Sequence, residues 1–250
     1  MKRRLNLIYK KLHSRFGPQY WWPGDTPFEV MIGAILTQNT NWLNVEKAID
    51  NLKKYKLLAP DKLYKLSHRR LALLIRPAGY YNIKAKRLKS FLKFFIKHYD
   101  GNVEKMSGIV TSSLRQQLLS VKGIGPETAD SILLYALNRP IFVVDAYTKR
   151  ILSRHHFIRE DSSYEEVQNL FTPHLWTHSR AIKTEYSKGA EFMQNLKSEV
   201  NPVRNTKAIR KENKISNGVK LFNEYHALLV ELGKEFCLKN KPKCDICPLR

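Results

Sequence analysis

Residues 113–149 read SLRQQLLSVKGIGPETADSILLYALNRPIFVVDAYTK, and this stretch decides the fold. Leu114 and Leu118 fall at helical spacing, whereas the glycines of residues 121–125 (VKGIG) prevent that helix from continuing. Pro126, a residue favoured in a first helical turn, then opens a second apolar stripe. The members of that stripe are Ala129, Ile132, Leu133 and Ala136. The pattern predicts a helix, a tight hairpin and a second helix.

The hairpin itself, made of Val121, Lys122, Gly123, Ile124 and Gly125, is predicted to bind an anion. Its glycines permit backbone angles that other residues avoid, and they let another chain approach closely. The N–H groups at the start of the second helix favour negative charge. The sequence has 44 Lys and Arg against 22 Asp and Glu, a formal net charge of +22. Because so basic a chain attracts polyanions, we expect the anion to be a nucleic-acid phosphate. The alternative is an ordinary helical turn capped by glycine.

The apolar run 141–144 (IFVV) ends in Asp145, eighteen residues after Glu127. Together with the hairpin, this run resembles the helix–hairpin–helix plus Gly/Pro-Asp signature of the endonuclease III superfamily of DNA base-excision glycosylases. The resemblance covers most of the chain and implies an all-α, two-lobed fold. It also implies that the partner is double-stranded DNA with a damaged base. The matching residue, Asp145, would be the catalytic carboxylate that stabilises an oxocarbenium-like sugar or activates water. An alternative role as a helix N-cap is compatible with catalysis.

Relatives that also cut the DNA strand carry a lysine in the second hairpin helix, within a G-x-G-x-K-T/S pattern. In this sequence residues 123–128 read GIGPET, so Glu127 occupies the position of that lysine. A carboxylate cannot form the Schiff base that strand cleavage requires. The sequence therefore predicts a glycosylase without lyase activity. The alternatives are a glycosylase with lyase activity on oxidised pyrimidines, and a protein that binds DNA structures without catalysis.

Aromatic residues indicate the class of base. Trp21, Trp22 and Pro23 lie in one loop, and Trp42 follows the buried segment 28–36. Both features resemble the 3-methyladenine glycosylase branch of the superfamily, which implies an alkylated purine as substrate. A base removed from the duplex needs a stacking surface, and an electron-poor ring gains further from indole. Glu127 is a further candidate for this pocket. The alternative for the tryptophans is that they attach the N-terminal helix to the core.

Two segments resemble DNA-contacting parts of the superfamily. Gln38 matches the glutamine that fills the gap left by an extruded base, and a helix-terminal polar cap is its alternative. Residues 79–85 resemble the G-x-x-x-x-K-A start of a helix near DNA, which makes Lys84 and Lys86 candidate phosphate ligands, with Arg87 beside them. A solvated basic surface is the alternative for each cation.

The three cysteines of the sequence, Cys237, Cys244 and Cys247, lie close together near the end of the chain. Clustering of this kind predicts a metal or cluster site rather than a disulfide framework. Their spacing resembles the first three ligands of the superfamily loop C-x6-C-x2-C-x5-C, which implies a [4Fe–4S] cluster. The fourth ligand would be residue 253, beyond Arg250, so we expect an incomplete site or an incomplete sequence. Zinc bound by three cysteines is the alternative.

The expected organisation is a helical lobe at 25–138, with the helix–hairpin–helix at 113–137, and a second lobe made of 1–24 and 139–236. Residues 237–250 form the cysteine loop. We expect the extruded base to lie in the cleft between the lobes, where Gln38 and Asp145 would face each other. Residues 177–220 depart from the family pattern by about forty residues and are predicted to be a surface insertion without a catalytic role.

Composition limits the cellular setting. The chain is 43% hydrophobic, which is typical of a globular protein. No apolar run reaches membrane-spanning length, and the basic N-terminus does not resemble a secretory signal. We therefore expect a monomer in the cytoplasm, associated with the nucleoid.

Overall fold

The structure is a computed structural model that describes residues 1–19, 21, 24–175 and 216–250, with only the backbone of 172–175. Within these ranges the regular elements are helices and there is no strand, which confirms the predicted all-α fold. Trp22 and Pro23, two of the predicted pocket residues, and 177–215 of the predicted insertion lie outside the described residues. In chain order the α-helices are α1 (Lys2–Phe16), α2 (Pro27–Leu36), α3 (Trp42–Lys54), α4 (Pro60–Lys65), α5 (His68–Leu74), α6 (Tyr81–Tyr99), α7 (Val103–Ser107), α8 (Thr111–Leu119), α9 (Pro126–Ser131), α10 (Ala146–Arg154), α11 (Tyr164–Leu175) and α12 (Asn217–Glu235).

The chain divides into two compact units. One, Trp22–Arg139, is called the hairpin unit here, and the other, Met1–Trp21 with Pro140–Arg250, is called the terminal unit. The hairpin unit contains α2 to α9, with a 3-10 turn at Arg76–Ala78. The terminal unit contains α1, α10, α11 and α12, with a 3-10 turn at Cys244–Ile246.

Helix α2 is the central element of the hairpin unit. It starts at Pro27 because Thr26 caps it, accepting a hydrogen bond from Glu29 N at 3.1 Å. Its residues are buried on nearly all sides, as the apolar segment 28–36 predicted, and it packs on α3, α6 and α9. The C-terminal end of α2 is therefore fixed in the core, and Thr37 and Gln38 follow directly after it.

The helix–hairpin–helix is present as predicted, with α8 and α9 on either side of 120–125. Arg115 of α8 makes a two-point ion pair with Asp130 of α9, at 2.7 Å and 3.1 Å. Helix α9 continues as a π-helical turn at Ile132–Ala136, whose five residues are all buried. The apolar spacing predicted a helix here but not its π geometry.

Apolar periodicity in the sequence predicts one helix at 61–75 and a last helix at 222–236, and the structure differs from both predictions. The segment 61–75 is two helices instead of one, because Leu66 is extended and Ser67 caps α5 by accepting from Arg70 N. The last helix begins at Asn217 instead of 222, because Ser216 caps it through Val219 N. Residue 220 is therefore not the end of an insertion, since α12 already includes it.

The core of the terminal unit forms around α12, on which α1 and α10 pack. Phe142, fully buried, stacks on Phe171 of α11 with ring centroids 3.7 Å apart, and it meets Phe222 and Tyr225 of α12 edge-on. Tyr225 Oη donates to Leu5 O at 2.9 Å, which fixes α1 on the same helix. In the part of the chain that the structure describes, we find no helix with the length and apolarity needed to cross a bilayer.

We expect Asp130→Ala to lower the free energy of unfolding by about 3 kcal/mol, because it leaves the largely buried guanidinium of Arg115 without its buried carboxylate partner. Asp130 is 0% exposed at its side chain and Arg115 is 16% exposed. Urea unfolding followed by circular dichroism measures the change. The control is Asp161→Ala, which breaks an ion pair whose partners are 84% and 71% exposed and should cost less than ~1 kcal/mol. Equal destabilisation by the two variants would contradict the assignment of a buried clamp.

Candidate functional site

The segment that leads into Asp145 is held at its backbone by α11. Gln168 Nε2 donates to Phe142 O at 2.6 Å, and Tyr164 Oη accepts from Val144 N at 3.2 Å. Since Phe142 and Val144 are themselves buried, the extended run cannot shift without breaking both packing and hydrogen bonds. Asp145 therefore enters α10 from a rigid support.

Asp145 is the N-cap of α10, which is the alternative role that the sequence offered for it. Its Oδ1 accepts from Thr148 N at 2.7 Å, and its backbone is extended, with φ −105° and ψ −179°. Its Oδ2 lies 3.5 Å from Nε2 of His226 on α12. The side chain of Asp145 is 12% exposed and that of His226 is 5% exposed, so one carboxylate is held from two sides in a nearly closed setting.

The pKa of Asp145 lies below its usual value. Burial raises this pKa, but the charge of His226 and the hydrogen bonds from His226 and Thr148 outweigh burial. Asp145 is therefore ionised at neutral pH. Because its pKa is lowered on folding, its contribution to stability is present near neutral pH and is lost as the pH falls through the folded-state value.

Two polar residues of α12 hold the N-terminal segment next to this site. His226 stacks on Trp21, with ring centroids 5.6 Å apart and planes 18° apart. Glu224, itself 2% exposed, accepts from Gln19 N at 2.8 Å. Sequence reasoning missed both residues. Their signal was a carboxylate and an imidazole within the mainly apolar segment 221–230 (LFNEYHALLV), which indicates buried polar groups with partners.

In the hairpin unit, Gln38 ties the end of α2 to the hairpin. Its Nε2 donates to Gly123 O at 3.0 Å and to Thr128 Oγ1 at 2.9 Å, and its Oε1 accepts from Arg87. The amide is thus engaged on both ends. A role in filling a gap in DNA stays a prediction, and it requires Gln38 to exchange these bonds for bonds to DNA.

The two hairpin glycines have different physical roles. Gly123 has φ +94°, and a Cβ added there would collide with the side chain of Arg87. Gly125 has φ −94° and open space where its Cβ would lie, so the predicted need for an unusual backbone angle is wrong at this position. In the described chain the N–H groups of Gly123 and Gly125 donate to no acceptor. They are therefore available to an anion.

The other hairpin residues differ in how far their side chains are buried. Val121 and Ile124 are 6% and 5% exposed, so their side chains belong to the core and only their backbone can reach a phosphate. The N–H of Ile124 already donates to Val121 O at 3.0 Å. Lys122 is exposed, as a phosphate ligand must be.

The prediction that Lys84 contacts phosphate is wrong. Lys84 is 1% exposed, and its Nζ donates to Leu36 O at 2.8 Å and Ala78 O at 2.6 Å inside the hairpin unit. Burial lowers the pKa of Lys84 to about 8, and the charge of Arg87 acts in the same direction. The Lys84 ammonium thus bonds the last carbonyl of α2 and cannot reach a surface ligand. Lys86 is exposed, and its phosphate contact stays a prediction.

Trp42 and Glu127 are both accessible in the hairpin unit. Trp42 begins α3, and its Cη2 lies 3.3 Å from where a Cβ of Gly33 would be, so Gly33 makes room for the indole on α2. Trp42 is half-buried. Glu127 is exposed in the first turn of α9.

The cysteine loop is held by α10. Arg150 donates to Cys237 O at 2.8 Å, and Arg154 donates to Cys237 Sγ at 3.3 Å. Burial raises the pKa of the Cys247 thiol, a backbone hydrogen bond at Leu249 lowers it, and the charges of Cys237 and Cys244 raise it further. As placed, however, no group of metal-ligating side chains among the described residues could hold a metal ion. A [4Fe–4S] cluster takes four thiolates, of which Cys237, Cys244 and Cys247 would supply three.

We expect Gly125→Ala to leave folding unchanged within ~0.5 kcal/mol, because its Cβ enters open space at an ordinary φ. The same Cβ would stand where a phosphate approaches, so affinity for duplex DNA should fall about tenfold or more. Fluorescence anisotropy with labelled duplex and urea unfolding measure the two effects. The matched variant Gly123→Ala should instead destabilise the fold by about 1–2 kcal/mol, because alanine is strained at this positive φ and its Cβ would collide with the side chain of Arg87. Wild-type DNA affinity in Gly125→Ala would refute the anion site at the hairpin.

Comparisons with known proteins identify the family of this chain. Residues 32–174 match the family described as HhH-GPD superfamily base excision DNA repair protein. A Methanocaldococcus jannaschii protein, provisionally named a DNA repair glycosylase, is 44% identical over 97% of this chain and 92% of its own. The crystal structure of 3-methyladenine DNA glycosylase (MagIII) of H. pylori, bound to 1,N6-ethenoadenine, superposes with a TM-score of 0.65 and 29% identity over 93% of this chain and 97% of that one. A trapped endonuclease III–DNA covalent intermediate shares the fold, with a TM-score of 0.70 and 20% identity over 100% of this chain and 93% of that one. The chain belongs to the HhH-GPD superfamily of base excision DNA repair proteins.

Proposed function

We propose that this protein is a monofunctional DNA glycosylase that hydrolyses the bond between deoxyribose and an alkylated purine in double-stranded DNA. Asp145 is the catalytic residue. The observation that carries the proposal is a nearly buried carboxylate at the start of α10, whose Oδ1 accepts from Thr148 N and whose Oδ2 lies 3.5 Å from His226 Nε2. Such a group is suited to stabilise positive charge that develops on a sugar.

In the proposed reaction the bond between C1′ and the purine nitrogen breaks, and the electron pair leaves with the base. The sugar becomes oxocarbenium-like, and the negative charge of Asp145 stabilises it. Water then adds its oxygen to C1′, and Asp145 accepts the proton that water loses. A purine alkylated on a ring nitrogen already carries positive charge, so it leaves as a neutral base without a general acid.

The aromatic residues support an alkylated purine as the substrate. The relative whose structure binds 1,N6-ethenoadenine is a 3-methyladenine glycosylase. This chain has Trp21 held against His226, and Trp42 held on α2 over Gly33. Indole faces attract electron-poor rings, so a cationic or alkylated base gains more from such a surface than a normal base does. In the sequence, Trp22 adds a further indole to this set, and Pro23 follows it in the same loop.

Glu127 supports hydrolysis without strand cleavage. It occupies the second position of α9, where relatives with lyase activity carry the lysine that attacks C1′. A carboxylate cannot form the Schiff base. The contact of the hairpin with DNA phosphates, through Lys122 and the free N–H groups of Gly123 and Gly125, belongs to the same proposal.

An iron–sulfur cluster at Cys237, Cys244 and Cys247 stays a prediction of the sequence. No step of the proposed reaction passes through such a group. The basic loop that carries the three cysteines is held by Arg150 and Arg154 of α10 through direct hydrogen bonds.

Asp145→Asn should abolish excision, with single-turnover rates falling about 100-fold or more, because the amide has no charge to stabilise the sugar cation. The amide oxygen can still accept from Thr148 N, so the helix cap and the fold should persist. The measurement is release of free alkylated base from methylated duplex DNA under enzyme excess. Asp161→Asn, which changes an exposed carboxylate of the same unit, is the control and should keep the wild-type rate. Full activity of Asp145→Asn would remove Asp145 from the mechanism.

Borohydride should trap no covalent adduct between the wild-type protein and duplex DNA that carries an abasic site, since Glu127 cannot form a Schiff base. Glu127→Lys, which supplies an amine at that position, should form a trapped adduct visible by denaturing gel electrophoresis. Glu127→Gln is the matched control and should form none. An adduct with the wild-type protein would show lyase chemistry and contradict the proposed monofunctional activity.

A further inference from the structure

We propose that His226 is a positioning residue for Asp145, placed against its second carboxylate oxygen. This inference rests on the proposed catalytic role of Asp145 and adds to it a residue that neither the motif nor the resemblance singled out. The evidence is the contact of two nearly buried polar side chains from different helices of the terminal unit.

The geometry fixes the carboxylate in two directions. Thr148 N donates to Oδ1 at 2.7 Å, and His226 Nε2 lies 3.5 Å from Oδ2. Thr148 belongs to α10 and His226 to α12, so the carboxylate is bound to two separate helices. A carboxylate held only by its cap could rotate about χ2, since terminal torsions of this type are broad. The second contact removes that freedom.

The imidazole ring is itself held in place. Trp21 stacks on one side of it at 5.6 Å, and Phe142 meets it edge-on at 6.4 Å. Phe142 is the residue that anchors the segment before Asp145, so the same ring supports both members of the pair. Because His226 is only 4% exposed as a residue, water screens its interaction with Asp145 little.

Other titratable and charged groups near the pair are directed to other partners. On α12, Glu224 accepts from Gln19 N and Tyr225 Oη donates to Leu5 O. On α11, Tyr164 Oη accepts from Val144 N. On α10, Arg150 donates to Gly233 O and Cys237 O, and Tyr147 packs on Gly233. His226 is therefore the group of the terminal unit that lies against Asp145 Oδ2, and its charge, when it is protonated, lowers the pKa of Asp145. Burial raises the pKa of Asp145, and the charge of His226 outweighs burial only together with the hydrogen bonds that Asp145 accepts.

Loss of the His226 charge should therefore shift the pH dependence of excision. In His226→Gln the amide can still contact Oδ2, but it carries no charge, so Asp145 needs a higher pH to ionise. The acidic limb of the single-turnover rate should move upward by about one to three pH units. The rate at the optimum should fall about tenfold or more, because the carboxylate is less firmly placed. A residue that only packs in the core would lower stability without moving this limb.

The experiment measures single-turnover release of alkylated base across pH for wild type, His226→Gln, His226→Asn and His98→Gln. His98 is exposed on α6 and serves as the matched control, with an unchanged profile expected. Circular dichroism and DNA affinity of each variant show whether it is folded. If neither His226 variant folds, the carboxyl ¹³C shift of Asp145 in the wild-type protein, assigned by difference from Asp145→Asn, gives its pKa directly.

The outcomes separate the two proposals. An upward shift of the acidic limb in His226→Gln supports the positioning role. An unchanged limb in folded His226→Gln, or an Asp145 pKa at or above ~3.9, overturns that role and leaves Asp145 catalysis intact. Full excision by Asp145→Asn instead overturns the proposed function itself.

Discussion

The structure depends on the stacking of Phe142 on Phe171, which fixes the chain just before Asp145. A carboxylate 12% exposed costs free energy unless charge and hydrogen bonds compensate its lost hydration. The first residues of α10 provide one partner, Thr148 N, and α12 provides His226. Both partners come from helices packed on the same aromatic core. The contacts that keep Asp145 charged therefore also hold it in place. Rigidity and charge at Asp145 therefore have one physical source.

The hairpin unit shows the same principle with a buried cation. Lys84 donates to the last carbonyl of α2, which has no partner within its own helix. Thr37 then bonds back to Gly33 O, and Gln38 reaches the hairpin through Gly123 and Thr128. The position of the hairpin thus depends on how α2 ends. The lowered pKa of Lys84, about 8, is consistent with an ammonium kept for this structural purpose at the expense of its hydration.

The resemblance to the superfamily implied the all-α fold, and local pattern predicted the hairpin, because apolar spacing and glycine act over a few residues. A helix N-cap was the alternative role for Asp145, and the carboxylate is an N-cap in the structure. Sequence reasoning failed at Lys84, since a basic stretch does not reveal which cation turns inward. Glu224 and His226 were missed because their partners, Gln19 and Asp145, are far away in sequence. The π turn at 132–136 and the break at Leu66 also depend on tertiary packing and caps that periodicity does not encode.

The most direct test of the central claim is the product analysis of methylated duplex DNA incubated with the wild-type protein. Chromatography identifies the released base, and a denaturing gel reports whether the strand is cut at the resulting abasic site. The account predicts free alkylated purine together with an unbroken strand. Release of no base from alkylated DNA, or base release accompanied by strand cleavage, would contradict it.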